Sequence, residues 1–218
     1  MRARTLFAAG LLLVGAATAH AQSVSIEKPS CVPQEDNGVV WGNATATPGQ
    51  TVRLYFRWKD HEDFYWVAME PEAGGRFWAT PPKPEKRNEQ VELYSALVDP
   101  DGRIVARSAS QSASQVVKVT RDCKVQLNTK QLGVAQNLTV GETSPKQEGK
   151  KVLAFLCDGV VTRVNYEGIR RADGVCRSCV IAWWQRKGVI IPAALLGGGL
   201  IVEPPGHHHG HEPSPSRP

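Results

Sequence analysis

Residues 90–107, Q-V-E-L-Y-S-A-L-V-D-P-D-G-R-I-V-A-R, are the stretch that decides the fold. An apolar run at 90–98 is followed by the four-residue turn 99–102 and by a second run at 103–107. Pro100 presets the backbone of the turn, and Gly102 accepts its left-handed position at no steric cost. The stretch therefore predicts a β-hairpin.

Similar runs extend on both sides of this hairpin. Residues 51–58 alternate, with Val52, Leu54, Phe56 and Trp58 on one face and Arg53, Tyr55 and Arg57 on the other. The polar residues 59–63 join this run to 64–69, which predicts a second hairpin. Further strands are predicted at 24–27, 39–46, 76–79 and 116–120. About seven short strands with turn signals every ~8–12 residues are typical of a β-sandwich.

One run of motifs also indicates a family. The stretch F-W-A-T-P at 77–81, the strand V-E-L-Y-S-A-L-V-D at 91–99 and the turn ending in Gly102-Arg103 resemble immunoglobulin-like and fibronectin type III-like modules of secreted bacterial proteins. The resemblance covers residues 23–123, about half of the mature chain, and concerns the architecture. The single Trp plus disulfide of antibody domains is not matched. The resemblance implies binding or spacing and no catalysis.

The predicted fold is therefore all-β: an immunoglobulin-like β-sandwich at 23–123, a small β-rich appendage at 124–187 and a disordered tail. In the appendage, residues 125–127, 138–140, 152–156 and 160–164 are predicted strands, punctuated by glycines. The polar stretch 141–151 is predicted to be a loop or linker. Whether the appendage packs on the sandwich or folds separately stays open.

The first 21 residues predict a secretory signal peptide. Arg2 and Arg4 precede an apolar run at 6–14, and Ala19-His20-Ala21 is a small-residue cleavage site. We therefore expect export to the periplasm or cell envelope, an oxidising compartment. Without Arg2 and Arg4, 24 basic residues face 21 acidic ones, so the formal charge of +5 falls to +3. That excess is too small to indicate nucleic acid as a partner.

The chain has five cysteines. Cys31 and Cys123 lie at the two ends of the predicted sandwich, so we expect a disulfide between them. Cys157 is predicted to pair with Cys176 or Cys179. The spacing of Cys176 and Cys179 also fits a redox or metal pair, but neither a βαβ pattern nor a second C-x-x-C accompanies it.

Residues 188–202, G-V-I-I-P-A-A-L-L-G-G-G-L-I-V, form an uncharged segment that could contact a membrane. Fifteen residues span about 22 Å as a helix, less than the ~30 Å of a bilayer core. Pro192 and three consecutive glycines also disfavour a helix. A membrane anchor and a buried Gly-rich segment both remain open.

Residues 203–218 are rich in Pro and His and are predicted to be disordered. His207, His208, His209 and His211 lie within five residues, and neutral imidazoles bind Ni, Cu or Zn. No other cofactor is expected. A solvated tail with adventitious metal affinity is the alternative, because a flexible tail must lose entropy to form a site.

The predicted strands and their turns offer two further candidate sites. The aromatic side chains could form a sugar-binding platform, and the sequence places it on the face that carries Tyr55 and Tyr65. Residues 60–63, D-H-E-D, could bind a metal, although a charged run at a hairpin tip is typical of a solvated turn.

Common catalytic motifs are absent from the sequence, including G-x-S-x-G, H-E-x-x-H and the nucleotide-binding fingerprints. We therefore expect a non-enzymatic envelope protein whose sandwich binds an unidentified protein or glycan partner. The alternative is an exported protein that binds or sequesters metal through the histidine tail.

Overall fold

Two antiparallel strands form the centre of the larger of two sheets. Strand β4 (Thr51–Trp58) pairs along its whole length with strand β8 (Gln90–Val98). The alternation of β4 sends Leu54 and Phe56 to the inner face, where both are fully buried. Both strands have the bounds that the sequence predicts.

The computed structural model describes residues 22–109 and 113–177. This part of the chain is predominantly β, with thirteen strands and two α-helices. The remaining strands are β1 (Val24–Ile26), β2 (Val32–Pro33), β3 (Val40–Ala44), β5 (Tyr65–Ala68), β6 (Glu70–Pro71), β7 (Arg76–Ala79), β9 (Ile104–Arg107), β10 (Gln115–Thr120), β11 (Leu138–Glu142), β12 (Val160–Val164) and β13 (Arg170–Ala172). The helices are α1 (Thr129–Ala135) and α2 (Gly174–Arg177).

The strands form two sheets. The four-stranded sheet has the order β1-β3-β7-β6, and the nine-stranded sheet has the order β13-β12-β11-β5-β4-β8-β10-β2 with β9 beside β8. Neighbouring strands are antiparallel except for the pairs β2 with β10 and β11 with β12. Val40 and Ala79 of the small sheet share one buried apolar cluster with Leu54 and Leu93 of the large sheet. The two sheets therefore pack in a sandwich-like arrangement.

The region after Cys123 extends the large sheet. Strand β11 pairs antiparallel with β5, β12 adds beside β11, and β13 forms the edge. All described residues belong to one compact unit. Backbone hydrogen bonds thus join this region to the strands of the sandwich.

Two strands predicted in this region do not form. Residues 125–127 are irregular, and 152–156 make turns with one isolated bridge from Phe155 to Pro84. Val152 and Phe155 are buried, and the Phe155 ring packs edge-on against Phe56 at 5.0 Å. The apolar residues of 152–156 thus cover the core instead of pairing in a sheet.

Helix α1 was not predicted, because seven residues are too few to show a helical period. A capping box begins it: the Asn128 side chain accepts a hydrogen bond from the Gln131 backbone, and the Gln131 side chain accepts one from the Asn128 backbone. The pattern N-x-x-Q at 128–131 was the available signal.

Two disulfides are formed within the described residues. Cys31–Cys123 joins the segment before β2 to the segment after β10, with Cα atoms 5.9 Å apart. Cys157–Cys176 joins the loop before β12 to helix α2. Of the two partners predicted for Cys157, Cys176 is the one bonded, and Cys179 lies outside the described residues. Disulfides of this kind are typical of proteins from oxidising compartments.

Several predictions concern residues that the structure does not describe: the signal peptide at 1–21, the apolar segment 188–202 and the tail 203–218 with its four histidines. Within residues 22–109 and 113–177, neither helix is long and apolar enough to cross a membrane.

Candidate binding groove

One row of residues crosses six strands on the outer face of the large sheet. Successive partners in the hydrogen-bonded register are Tyr94 of β8, Tyr55 of β4, Trp66 of β5, Gly141 of β11, Val164 of β12 and Arg170 of β13. Directly paired residues project to the same face of a sheet. We call these six residues the outer row. It begins in buried aromatic rings and ends at an exposed arginine.

Trp66 occupies the space above Gly141. A methyl group at Gly141 would lie 1.8 Å from Cε2 of the indole, so only glycine accommodates this position of the ring. The Arg53 guanidinium lies over the same indole, with Cζ 3.9 Å from the ring centroid. This cation–π contact holds the Arg53 guanidinium beside the indole, where both side chains line the same groove.

Tyr55 supports this pair from the buried end of the row. Its ring stacks on Tyr94 with centroids 4.6 Å apart, and the Phe64 ring packs edge-on against Tyr94 at 4.9 Å. Burial raises the pKa of the Tyr55 hydroxyl, although the charges of Arg53 and Arg107 act in the opposite direction. The hydroxyl therefore stays protonated at neutral pH and presents a neutral polar group beside Arg53.

The open end of the row is bordered by the turn between β12 and β13. Tyr166 in this turn is 45% exposed, and its hydroxyl donates to Glu167 at 3.1 Å. The Asn165 amide donates weakly to the other oxygen of the same carboxylate, at 3.5 Å. Asn165 also accepts from the Ile169 backbone at 2.8 Å, which fixes the turn. An exposed aromatic ring is thus held at a defined place.

Together these side chains border a groove of about 640 Å³ on the outer face. Its lining includes Arg53, Tyr55, Trp66, Tyr166, Glu167 and Arg170, and the β8–β9 turn borders it with Asp101. The volume lies within the range of ~300–1,000 Å³ that is usual for ligand sites. The groove is lined by strands and short turns, so its shape is fixed by the sheet.

The charges in the groove are not fully compensated. Asp101 pairs with Arg103 at 2.8 Å. Arg170 donates to the Thr139 hydroxyl at 3.2 Å. Among the ion pairs of the described residues, none involves Arg53 or Arg170. Two guanidinium groups therefore face the groove without a carboxylate partner from the described chain.

Arg57, four residues after Arg53 on β4, is paired with Glu92. It donates to Oε2 of Glu92 from Nε at 2.8 Å and from Nη2 at 2.6 Å, and its guanidinium covers the Phe64 ring. Burial alone would raise the pKa of Glu92, yet the hydrogen bonds from Arg57 and Ser114 hold that pKa below its ordinary value. At this end of the outer face, the charges of Arg57 and Glu92 are thus paired with each other.

A second group of charges is buried at the opposite face of the extension. Arg163 donates to Glu142 at 2.6 Å and to the Lys150 carbonyl at 3.2 Å, and it lies 4.0 Å from Asp173. Asp173 also accepts from the backbone N–H groups of Val175 and Cys176, at the start of α2. The cluster thereby ties β11 and β12 to the disulfide-bonded helix.

The carboxylate Glu142 is the titratable group of this cluster. Burial raises the pKa of Glu142, although the Arg163 guanidinium acts in the opposite direction. Both Glu142 and Asp173 keep one oxygen that has no hydrogen-bond partner within the described chain and that is shielded from solvent. The ion pairs and hydrogen bonds of the cluster hold β11, β12 and α2 together, beside a cavity of about 290 Å³ that Glu142, Arg163 and Asp173 help to line.

The predicted platform of Tyr55 and Tyr65 needs a correction in its geometry. Antiparallel pairing sets Tyr55 opposite Trp66 and sets Tyr65 opposite Phe56, so the two tyrosines lie on opposite faces of the sheet. Tyr65 is buried in the core and its hydroxyl contacts the backbone of residues 151 and 153. A shift of one residue in register exchanges the two faces of a strand, and the sequence pattern alone did not fix this register.

The charged turn at 60–63 forms an ion pair and local hydrogen bonds of the kind found in solvated turns. Glu62 pairs with Lys146 at 2.9 Å, and His61 contacts the backbone of Asp63. Among residues 22–109 and 113–177, no group of three or more His, Cys, Asp or Glu side chains is placed to bind a metal. Metal binding by His207, His208, His209 and His211 stays a prediction, since these residues lie outside the described part.

Sequence reasoning missed most of the groove. Trp66 was one of several aromatic residues that the sequence offered for a sugar-binding platform, but Tyr166 and Arg170 were not singled out and strand β13 was not predicted. Arg53 had been placed with Tyr55 on the polar face of 51–58, which is where both lie. That alternation was the available signal, but the partner strands that complete the groove follow from long-range pairing.

The chain was compared with family models, curated proteins and solved structures, and no match was found in any of the three.

Proposed function

We propose that this chain is an exported, non-enzymatic binding protein that holds a glycan in the groove on the outer face of its large sheet. The observation that supports this proposal most strongly is that Trp66 and Tyr166 lie beside polar groups in a groove of fixed shape. Sugar rings have apolar faces that pack on aromatic rings and hydroxyls that bond to polar side chains, so such a surface suits them.

Where the groove crosses β5, its surroundings favour a glycan over a peptide that would extend the sheet. Strand β5 has no free edge beside the groove, because β11 already pairs with it. The groove also contains three side chains with planar polar groups that can form hydrogen bonds: the amide of Asn165, the carboxylate of Glu167 and the guanidinium of Arg170. These features match recognition of hydroxyl-rich rings better than capture of an apolar peptide anchor.

The immunoglobulin-like relation belongs to the same proposal. The small sheet has the order β1-β3-β7-β6, and the other sheet contains the order β5-β4-β8-β10-β2. Labelled in chain order, these correspond to the A-B-E-D strands and to the opposite G-F-C sheet with its C′ neighbour. Strands β11 to β13 then extend the C′ edge, and the outer row crosses this junction.

Export is proposed from two observations of different kind. The residues at 1–21 have the pattern of a signal peptide, and the described chain contains two disulfides. An envelope location would place the groove among extracellular polysaccharides.

The proposal is tested by binding of the purified chain from residue 22 onward to a panel of soluble polysaccharides, measured by affinity electrophoresis. The wild type should be retarded by at least one of them, and Tyr166→Ala should weaken that retardation at least about tenfold, since stacking at an exposed ring provides much of the contact.

The matched control is Leu132→Ala. Leu132 is 42% exposed, close to the 45% of Tyr166, but it lies on α1 outside the groove. Its removal should leave binding unchanged. Retardation by no polysaccharide, or equal losses in both variants, would contradict the proposed function.

A further inference from the structure

We propose that the ligand of the groove is an acidic glycan, a polysaccharide of uronate type whose carboxylates pair with Arg53 and Arg170. This inference rests on the proposed function and names its ligand class. It is carried by the charges in the groove.

The environment of Arg53 is the first observation that supports an acidic ligand. Arg53 is half-buried and has no acidic partner within the described chain. The other guanidinium groups held inside or against the sheet are compensated: Arg57 by Glu92 and Arg163 by Glu142. Removing part of a cation from water is costly unless an anion or hydrogen bonds replace the lost hydration. Arg53 stacks on Trp66 and hydrogen-bonds to the Tyr55 side chain, and neither contact supplies an anion. A guanidinium presents paired N–H donors that a carboxylate can accept in a bidentate manner.

Arg170 provides a second cation at the open end of the same row. It is exposed, and one contact to Thr139 leaves most of its donors unused. Two cations at different positions of one groove suit a ligand with repeated negative charges. Such a ligand pairs with both at once and gains from their combined effect.

Glu167 contributes a negative charge to the groove, opposite to the positive charges of Arg53 and Arg170. Its carboxylate lies in the groove and accepts from Tyr166 and Asn165, both neutral donors. It therefore repels an acidic ligand, so the two directions of charge change can be separated experimentally. The ring of Tyr166 next to it remains available for stacking with a sugar.

The experiment uses oligogalacturonate and the same oligomer with all carboxylates methyl-esterified. The two probes share their sugar rings and differ in charge. Calorimetric titration of the disulfide-bonded chain should show binding of the acidic oligomer, weakening with added salt because exposed charges are screened. The esterified oligomer should bind at least about tenfold more weakly.

Three variants locate the interaction. Arg53→Gln and Arg170→Gln should each weaken binding of the acidic oligomer about ten- to a hundredfold, as expected for a hydrogen bond to a charged group. Glu167→Gln should strengthen it up to about fivefold. The control Arg121→Gln removes an exposed arginine outside the groove that contacts Gln34 and should change nothing.

Equal binding of acidic and esterified oligomers would overturn this inference while leaving glycan binding by the groove intact. Binding of poly-L-glutamate as tight as that of oligogalacturonate, with the same response to Arg53→Gln, would overturn the glycan assignment. No binding of the acidic oligomer would overturn the ligand class. The proposed function is decided separately, by whether any member of the polysaccharide panel, acidic or neutral, retards the chain.

Discussion

The outer row can be compared with a second row, the inner row, which lies on the opposite face of the same strands. The two rows differ in whether their charges are paired within the protein. The inner row consists of Leu93, Phe56, Tyr65 and Glu142, which pair across β8, β4, β5 and β11. All four are buried, and the charge that ends the row is paired with Arg163. The outer row also starts in buried aromatic rings, but the cations at its other end have no acidic partner within the described chain.

The difference shows how one sheet separates stability from recognition. Adjacent residues of a strand project to opposite faces, so each strand contributes one residue to a closed row and the next to an open one. The inner row pairs its one charge, that of Glu142, with Arg163 inside the protein. The outer row leaves Arg53 and Arg170 to a ligand. Substitutions in the two rows should therefore affect different measured quantities.

Phe56→Ala should have the largest effect on stability. Phe56 is fully buried and packs against Phe155, so its truncation leaves a cavity and should lower the free energy of unfolding by about 3–5 kcal/mol. Tyr166→Ala on the outer face should change it by no more than about 0.5 kcal/mol. Urea denaturation measures both. Similar losses of unfolding free energy in the two variants would contradict the proposed difference between the inner and outer rows.

Loss of the Cys31–Cys123 disulfide should come next. The bond closes a loop across 92 positions of sequence, so replacing both cysteines by alanine should lower the free energy of unfolding by about 2–5 kcal/mol. Urea denaturation of variant and wild type under non-reducing conditions tests this. Binding at the groove should persist in the folded variant, since neither cysteine borders it. Unchanged stability would show that the bond is dispensable.

Gly141→Ala should have an intermediate effect on stability and should also weaken ligand binding. The added methyl group collides with the Trp66 indole, so the ring and the stacked Arg53 must move. We expect a loss of about 1–3 kcal/mol in unfolding free energy, together with weaker ligand binding.

Gly133→Ala is the matched control. Gly133 lies in α1 with open space at its Cα, so a methyl group there should stabilise the helix by about 0.5–1 kcal/mol and leave binding unchanged. Wild-type affinity in Gly141→Ala would show that the position of Trp66 does not matter.

The smallest effect should be a pH dependence from Glu142. Burial raises its pKa in the folded chain above the ordinary value of 4.5, so the folded state keeps a proton that the unfolded state releases. The associated stability is complete below the unfolded pKa and is lost as pH rises through the folded pKa. Glu142→Gln cannot ionise and should lose less stability than the wild type as pH rises above about 4.5.

Urea denaturation across this pH range gives the comparison, with Glu62→Gln as control. The Lys146 side chain lowers the pKa of Glu62, so that pair contributes in the opposite direction, as a gain when pH rises. Parallel pH profiles for the wild type and Glu142→Gln would contradict a raised pKa.

The local patterns predicted the strands and one face of β4 well. Gln90–Val98 and Thr51–Trp58 carry alternation and turn residues within a single window, so their bounds follow from neighbouring residues. The sequence also placed Arg53 and Tyr55 on the same face. Nothing local, however, states that Trp66 pairs with Tyr55, because the six-residue connection between β4 and β5 permits more than one register.

The groove escaped prediction because it depends on pairings between distant segments. Gly141 and Arg170 reach the outer row only after β11 joins β5 and β13 joins β12. Strand β13 has three exposed residues, two of them arginines, and so lacks the apolar pattern by which strands are recognised. The buried cluster of Glu142, Arg163 and Asp173 was missed for a related reason, since charged residues in sequence suggest exposure.

The most direct test of the central claim is an NMR titration that follows the indole N–H of Trp66 and the Nε–H groups of Arg53, Arg170 and Arg121. The outer row is predicted to bind the ligand, so oligogalacturonate should shift the signals of Trp66, Arg53 and Arg170 along one saturable curve while Arg121 and the amides of Phe56 and Tyr65 stay unchanged. Shifts confined to Arg121 or to residues outside the groove, or no saturable shift in the outer row, would contradict the account.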